Sequence, residues 1–269
     1  MSRSRWTRPL ILISAALPLV IVQPVAARAA AGSAKAYTLT APFTKGVTAV
    51  RWNPCAPIDY RVNPARSPKS SLPEVKRAFA AVHQATGLTF RYAGTTTAVP
   101  DAKKGYNAVF PAGTEIVIAW ATPDVQSRMM PKTATIAGMG GWSGVSGYTA
   151  TGGAANIITR GQIVLNASLT RTMARGFAAR PGGTTGELLM HEIGHAVGLA
   201  HPDIDDTHEI MYPMLTGKKA VWGAGDLVGL RKVGKTGGCQ YLDDPKSRPA
   251  ATKAATVPAG MLVGRTAAN

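Results

Sequence analysis

A chain of 269 residues with 45% apolar side chains is long enough for one large domain plus tails, and its 29 glycines and 19 prolines imply many turns. The formal charge of +16 favours anionic surfaces, yet the basic residues are dispersed. No nucleic-acid motif or aromatic-interleaved basic tract accompanies them, so nucleic acid is not an expected partner; the charge reads as a solvated basic surface, with contact to an anionic cell-wall polymer as the alternative.

Taken in chain order, Arg3, Arg5 and Arg8 precede an apolar run from Leu10 to Val22, and Ala27-Arg28-Ala29 follows in the pattern of a signal-peptidase site. The run is shorter than the ~20 residues of a membrane span. Residues 1–29 therefore read as a secretory signal peptide, with no membrane span once it is cleaved. Without Arg3, Arg5, Arg8 and Arg28 the charge falls from +16 to +12. Residues 30–48 are small and polar and read as a linker or short pro-segment. A turn around Pro54 and Pro57 leads into a strand from Ile58 to Val62. The spacing of Val75, Phe79 and Val82 predicts a helix over Pro73–Ala85, with Pro73 in its first turn and Gly87 as its stop. Leu88–Tyr92 and Glu115–Ala121 are β-like, and Ile163–Leu165 is a short strand. Gly138–Gly147 reads as a glycine-rich loop outside the strand–turn–helix setting of a phosphate cradle. Thr184 with Glu187 forms a capping box opening one helix, and a second runs from Asp226 to Val233. From about 243 to 269 the periodicity is lost, and a disordered tail is expected. These elements predict one α/β domain over 49–242, secreted and monomeric. In an oxidising compartment Cys55 and Cys239 are expected to pair; this would close a loop of 184 residues, which the chain-entropy argument values at roughly 4–5 kcal/mol.

The chemistry concentrates in HEIGHAVGLAH at 191–201, which holds three of the five histidines. His191 and His195, four apart on a helix, stack on one face and can share a metal. Imidazole suits zinc, three protein ligands leave a fourth position for water, and Glu192 stands where it can act on that water as general base. On a continuing helix His201 would point about 120° away from His195. The helix must therefore end between them, and Gly198 permits the turn because glycine takes a positive φ at low cost. Leu189, Ile193, Val197 and Ala200 form the opposite face. A non-catalytic zinc-binding module would have no need of Glu192.

The pattern HExxHxxGxxH, with Met211-Tyr212-Pro213 ten residues beyond His201, resembles the metzincin zinc peptidases and, within them, the matrixin branch. The resemblance implies a metzincin-type zincin domain: a twisted, mostly parallel sheet with an active-site helix and a small C-terminal subdomain carrying the methionine turn. It implies one catalytic zinc on His191, His195 and His201, with Met211 beneath it, and hydrolysis of protein or peptide substrates. Pro213 occupies the place where other branches carry a metal-binding tyrosine, so Tyr212 is not an expected ligand. Asp226-Leu227-Val228-Gly229-Leu230 resembles the last matrixin helix. By the same resemblance the strand Ile163-Val164-Leu165 binds extended substrate, and residues 215–223, with Leu215 and Trp222, shape the pocket beyond the scissile bond. Cys55 lies in NPCAP, unlike the zinc-blocking propeptide motif of animal matrixins. Asp203, Asp205 and Asp206 read as a solvated loop, with structural calcium as the alternative; His208 reads as a loop residue and His83 as structural.

Overall fold

β-branched and aromatic residues alternate along several segments, and these build a sheet. A computed structural model describes residues 30–101, 110–132 and 135–243 and the backbone of 262–266. The expected signal peptide at 1–29 lies outside the described residues. Strands β1 (Thr38–Leu39), β2 (Val50–Trp52) and β3 (Ile58–Asn63) precede helix α1 (Ser71–Thr86). Then come β4 (Phe90–Thr95), β5 (Ile116–Ala121), β6 (Ile136–Thr149) and β7 (Ala154–Asn166), followed by α2 (Ala167–Thr172) and α3 (Thr185–Ala196). Next are β8 (Leu199–Ala200), β9 (Met214–Leu215), α4 (Ala224–Val233), β10 (Gln240–Tyr241) and β11 (Leu262–Thr266).

The result is a mixed α/β fold with a mostly sheet core, in the order β4-β3-β5-β7-β6-β11-β9. β3 pairs parallel with β4 and β5, β5 runs parallel to β7, and β6 is antiparallel to β7. Alternation along β5 and β7 sends Ile116, Ile118, Trp120, Ile163 and Leu165 into the same cluster as the apolar residues of α1 and α3. Ala121 and Val164 go to a smaller cluster with Met129, Met130, Ile136 and Met139. The main core is therefore the layer between the sheet and two helices. In α1, Val75, Phe79 and Val82 are buried as the spacing predicts, Phe79 stacks on Tyr60 with ring centroids 4.0 Å apart, and Gly87 ends the helix at φ 72°.

Three expectations change. The glycine-rich stretch 138–147 is not a loop but the middle of β6. Its glycines let helix and neighbouring strand approach: a Cβ on Gly140 would lie 2.2 Å from the Glu192 carbonyl oxygen, and one on Gly144 2.4 Å from that of Ile157. Residues 30–48 are docked rather than free, so the domain begins before 49. Thr38 and Leu39 pair with Ala200 and Leu199, and the Ala224 N–H donates to the Ala31 carbonyl at 2.8 Å. In the expected tail, the backbone of 262–266 forms β11; residues 244–261 and 267–269 lie outside the described residues.

Cys55 and Cys239 form a disulfide that joins the turn after β2 to the start of β10. Arg51 strengthens the same junction by donating to the carbonyls of Gly237 and, at 2.7 Å, Gly238. Among the described residues no helix is long and apolar enough to cross a membrane.

Candidate metal centre

Helix α3 is buried on every side, which makes it a rigid platform. Its start is fixed by Thr184, whose hydroxyl accepts the Glu187 N–H at 3.2 Å. Only this half of the expected capping box forms. The Glu187 carboxylate instead accepts from the Thr216 N–H at 2.6 Å and its hydroxyl at 3.0 Å, tying the helix to the segment after β9. The helix ends at Ala196, and Gly198 turns the chain at φ 108°. The next two residues form β8, held against β1, and the chain then delivers His201.

The turn brings three imidazoles together. The Nε2 atoms of His191 and His195 are 3.1 Å apart, those of His191 and His201 3.1 Å, and those of His195 and His201 3.2 Å. Three nitrogens on a tetrahedral zinc at ~2.05 Å would be separated by about 3.3 Å, so the donor set fits. Among the described residues these three form the one group of His, Cys, Asp or Glu side chains that could hold a metal ion.

Protonation agrees with that use. The Nδ1 of His191 lies 2.7 Å from the Ile210 carbonyl and that of His195 2.9 Å from the Leu199 carbonyl. A carbonyl can only accept, so each Nδ1 carries the proton and each Nε2 presents a lone pair to the centre. Burial lowers the His191 pKa to about 4 and, with the neighbouring His191, that of His201 to about 3. Burial and both neighbouring rings hold His195 well below the ordinary range. All three are neutral at pH 7. These pKa values are depressed in the fold, so the stabilisation they give is present above pH 6.5 and is lost as pH falls through 6 toward 4. Metal-free protein should therefore melt at lower temperature at pH 5 than at pH 7, and His201→Asn should flatten that slope. An unchanged slope in the variant would show that other groups set it.

Glu192 follows the first ligand on α3, and its side chain is fully buried. Neither carboxylate oxygen meets hydrogen-bond geometry with a partner. Burial pushes its pKa well above the ordinary carboxylate range, with only the Gly140 amide opposing the shift. The side chain lies against β6, where a Cβ on Gly138 would come within 2.5 Å of its Oε1.

Behind the ligands, Met211 is buried with its sulfur against Gly194, between the two ligand-bearing turns of α3. Asp226, fully buried at the start of α4, accepts the N–H groups of Ile210 at 2.6 Å, Met211 at 3.2 Å and Gly223 at 3.0 Å. It thereby fixes the Ile210 carbonyl that orients His191. Glu209 accepts the amides of Gly225 and Asp226 at 3.1 and 2.7 Å. Burial and the nearby Glu209 raise the Asp226 pKa to about 7. The sequence reading missed this support, although Asp226, three residues past Gly223, carries the signal of a helix cap.

One substrate-binding assignment fails on position. Ile163-Val164-Leu165 lies in β7, with β5 on one side and β6 on the other, so its backbone has no open edge for a peptide. Trp222 donates its indole N–H to the Ala81 carbonyl of α1 at 3.2 Å and lines, with Met190 of α3, a cavity of about 790 Å³. Leu215, in β9, packs on Gly183 at the start of α3. The acidic loop is held by protein partners. Asp206 accepts from Ser33 at 2.7 Å and from His208, and Asp203 accepts from Thr38 at 3.3 Å. Tyr212 is directed to Asp205. His83 bonds the Leu88 carbonyl at 2.7 Å, a structural role.

No family model matches the sequence, and no curated protein matches it.

Proposed function

We propose that this chain is a secreted zinc endopeptidase of matrixin-like metzincin type. The observation that carries the reading is the converging triad with a buried, unpaired carboxylate on the same helix. Three neutral imidazole lone pairs about 3 Å apart repel one another unless a cation lies between them, and an ionisable group sealed beside them without a partner is characteristic of catalytic sites. A zinc ion held there would supply a water of pKa near 7 and polarise a carbonyl. Glu192 would accept a proton from that water at its carboxylate and hand it to the leaving amine. Met211 and the Asp226–Ile210 link hold the ligands in place. The direction of Tyr212 toward Asp205 agrees with a three-histidine, water-completed site. The disulfide and the lack of a membrane-crossing helix among the described residues fit an extracellular protein.

A chelator should abolish digestion of casein, and one equivalent of zinc should restore it. Digestion indifferent to chelation, or a zinc-loaded protein that cleaves no peptide even at saturating substrate, would reject the reading.

A further inference from the structure

Strand β6 gives one edge to β7 along residues 138–148. The end of the chain takes its other edge in two places, with β10 at Tyr148–Thr149 and β11 at 136–140. β11 runs antiparallel to β6, with Leu262 opposite Gly140, Val263 opposite Met139 and Gly264 opposite Gly138. It also runs parallel to β9, with Arg265 opposite Met214 and Thr266 opposite Leu215. Among the described residues β9 has no other strand partner. β11 thus fills the slot between β6 and β9, and its Cα atoms come within 8 Å of those of α3.

The rungs it uses are the ones over the metal centre. Gly138 and Gly140 are the two β6 positions where an added Cβ would strike Glu192, the first at its carboxylate and the second at its backbone. Residues 262–264 therefore cross one strand spacing, about 4.8 Å, from the glycines that touch Glu192. An extended peptide that adds to β6 must take the same backbone groups, because the opposite edge is already paired with β7. The connection is long enough. Residues 242–261 can reach about 65 Å, whereas the eight residues from Tyr148 back to Gly140 cover roughly 27 Å of strand.

The geometry points to Leu262–Thr266 as an internal inhibitor: a segment of this chain that occupies, by backbone pairing on both sides, the track of an extended peptide substrate. What it inhibits rests on the peptidase reading, whereas its docking does not. A tethered strand competes at an effective concentration in the millimolar range for a short linker, so the intact chain is latent toward dilute substrates and becomes active when the tail is displaced or cut.

The test uses the full-length, zinc-loaded chain and the double variant Val263→Pro/Gly264→Pro. Proline removes the N–H groups that a strand paired on both sides needs, and successive N–H groups point to opposite neighbours. Amide exchange over residues 136–140 should be at least tenfold faster in the variant. Casein cleavage should be at least tenfold faster too, and a synthetic peptide of residues 258–269 should return it toward the parent rate. Equal exchange in the two proteins overturns the docking whatever the rates, and equal cleavage by two active proteins overturns the inhibitory role. Faster exchange with no cleavage by either form upholds the docking and removes the peptidase reading alone.

Discussion

Replacing Glu192 by glutamine should cut peptide cleavage by about 10³-fold while zinc stays bound at one equivalent and the melting temperature is unchanged or higher. General acid–base assistance is worth roughly 10²–10⁴-fold, and here one group serves both proton transfers. Stability follows a different logic. A buried carboxylate whose oxygens meet no partner in hydrogen-bond geometry carries a desolvation cost that the Gly140 amide offsets only in part, which is why its pKa is raised. Glutamine keeps the shape and removes the charge, so the fold loses nothing by the exchange. Zinc content, a thermal melt and the turnover of one peptide measured on the same preparation separate the effects. Cleavage within tenfold of the parent would exclude Glu192 as the base. A melting temperature several degrees lower would mean that the carboxylate holds the fold together.

The metal centre was legible because its determinants are local. Four residues from His191 to His195 is one helical turn, and the need for a break before His201 follows from 3.6 residues per turn alone. Helix α1 was legible for the same reason, through Val75, Phe79, Val82 and Gly87. What was not legible depends on which strand neighbours which. Ile163-Val164-Leu165 is a strand as read, but no local pattern says that β6 shields its edge. The stretch 138–147 read as a loop because glycine is a poor strand former by propensity. Close packing against α3 outweighs propensity there, and the spacing Gly138-Met139-Gly140, small on one face and large on the other, was the trace it left. The box of Thr184 and Glu187 was half right: the local N-cap formed, but Thr216 offered Glu187 a better tertiary partner. The route from Asp226 through Ile210 to His191 joins residues 35 apart, and no periodicity marks it.

Gly198→Ala tests whether the turn is as much a part of the site as the ligands. Two costs combine. At φ 108° an L-residue is strained by about 1–3 kcal/mol. The new Cβ would also lie 2.6 Å from the carbonyl oxygen of Val50, a fully buried residue of β2, so buried backbone must move. Together these should destabilise the metal-free protein by about 3–5 kcal/mol, lowering its melting temperature by roughly 10 °C. Gly46→Ala supplies the control: its φ is 83°, but nothing lies within 4 Å of its Cβ position, so it bears the conformational part alone, about 1 kcal/mol. The clash also has a direction. Relief must shift the residues just after the turn, where the Leu199 carbonyl orients His195 and β8 leads to His201. Two of three ligands move together, so zinc affinity should fall by at least tenfold to a hundredfold, as it does when groups that orient metal ligands are lost. Competition with a chromogenic chelator measures it. If the alanine variant at 198 matches the one at 46 in both melt and zinc affinity, the turn does not set the site, and the helix break alone accounts for the position of His201.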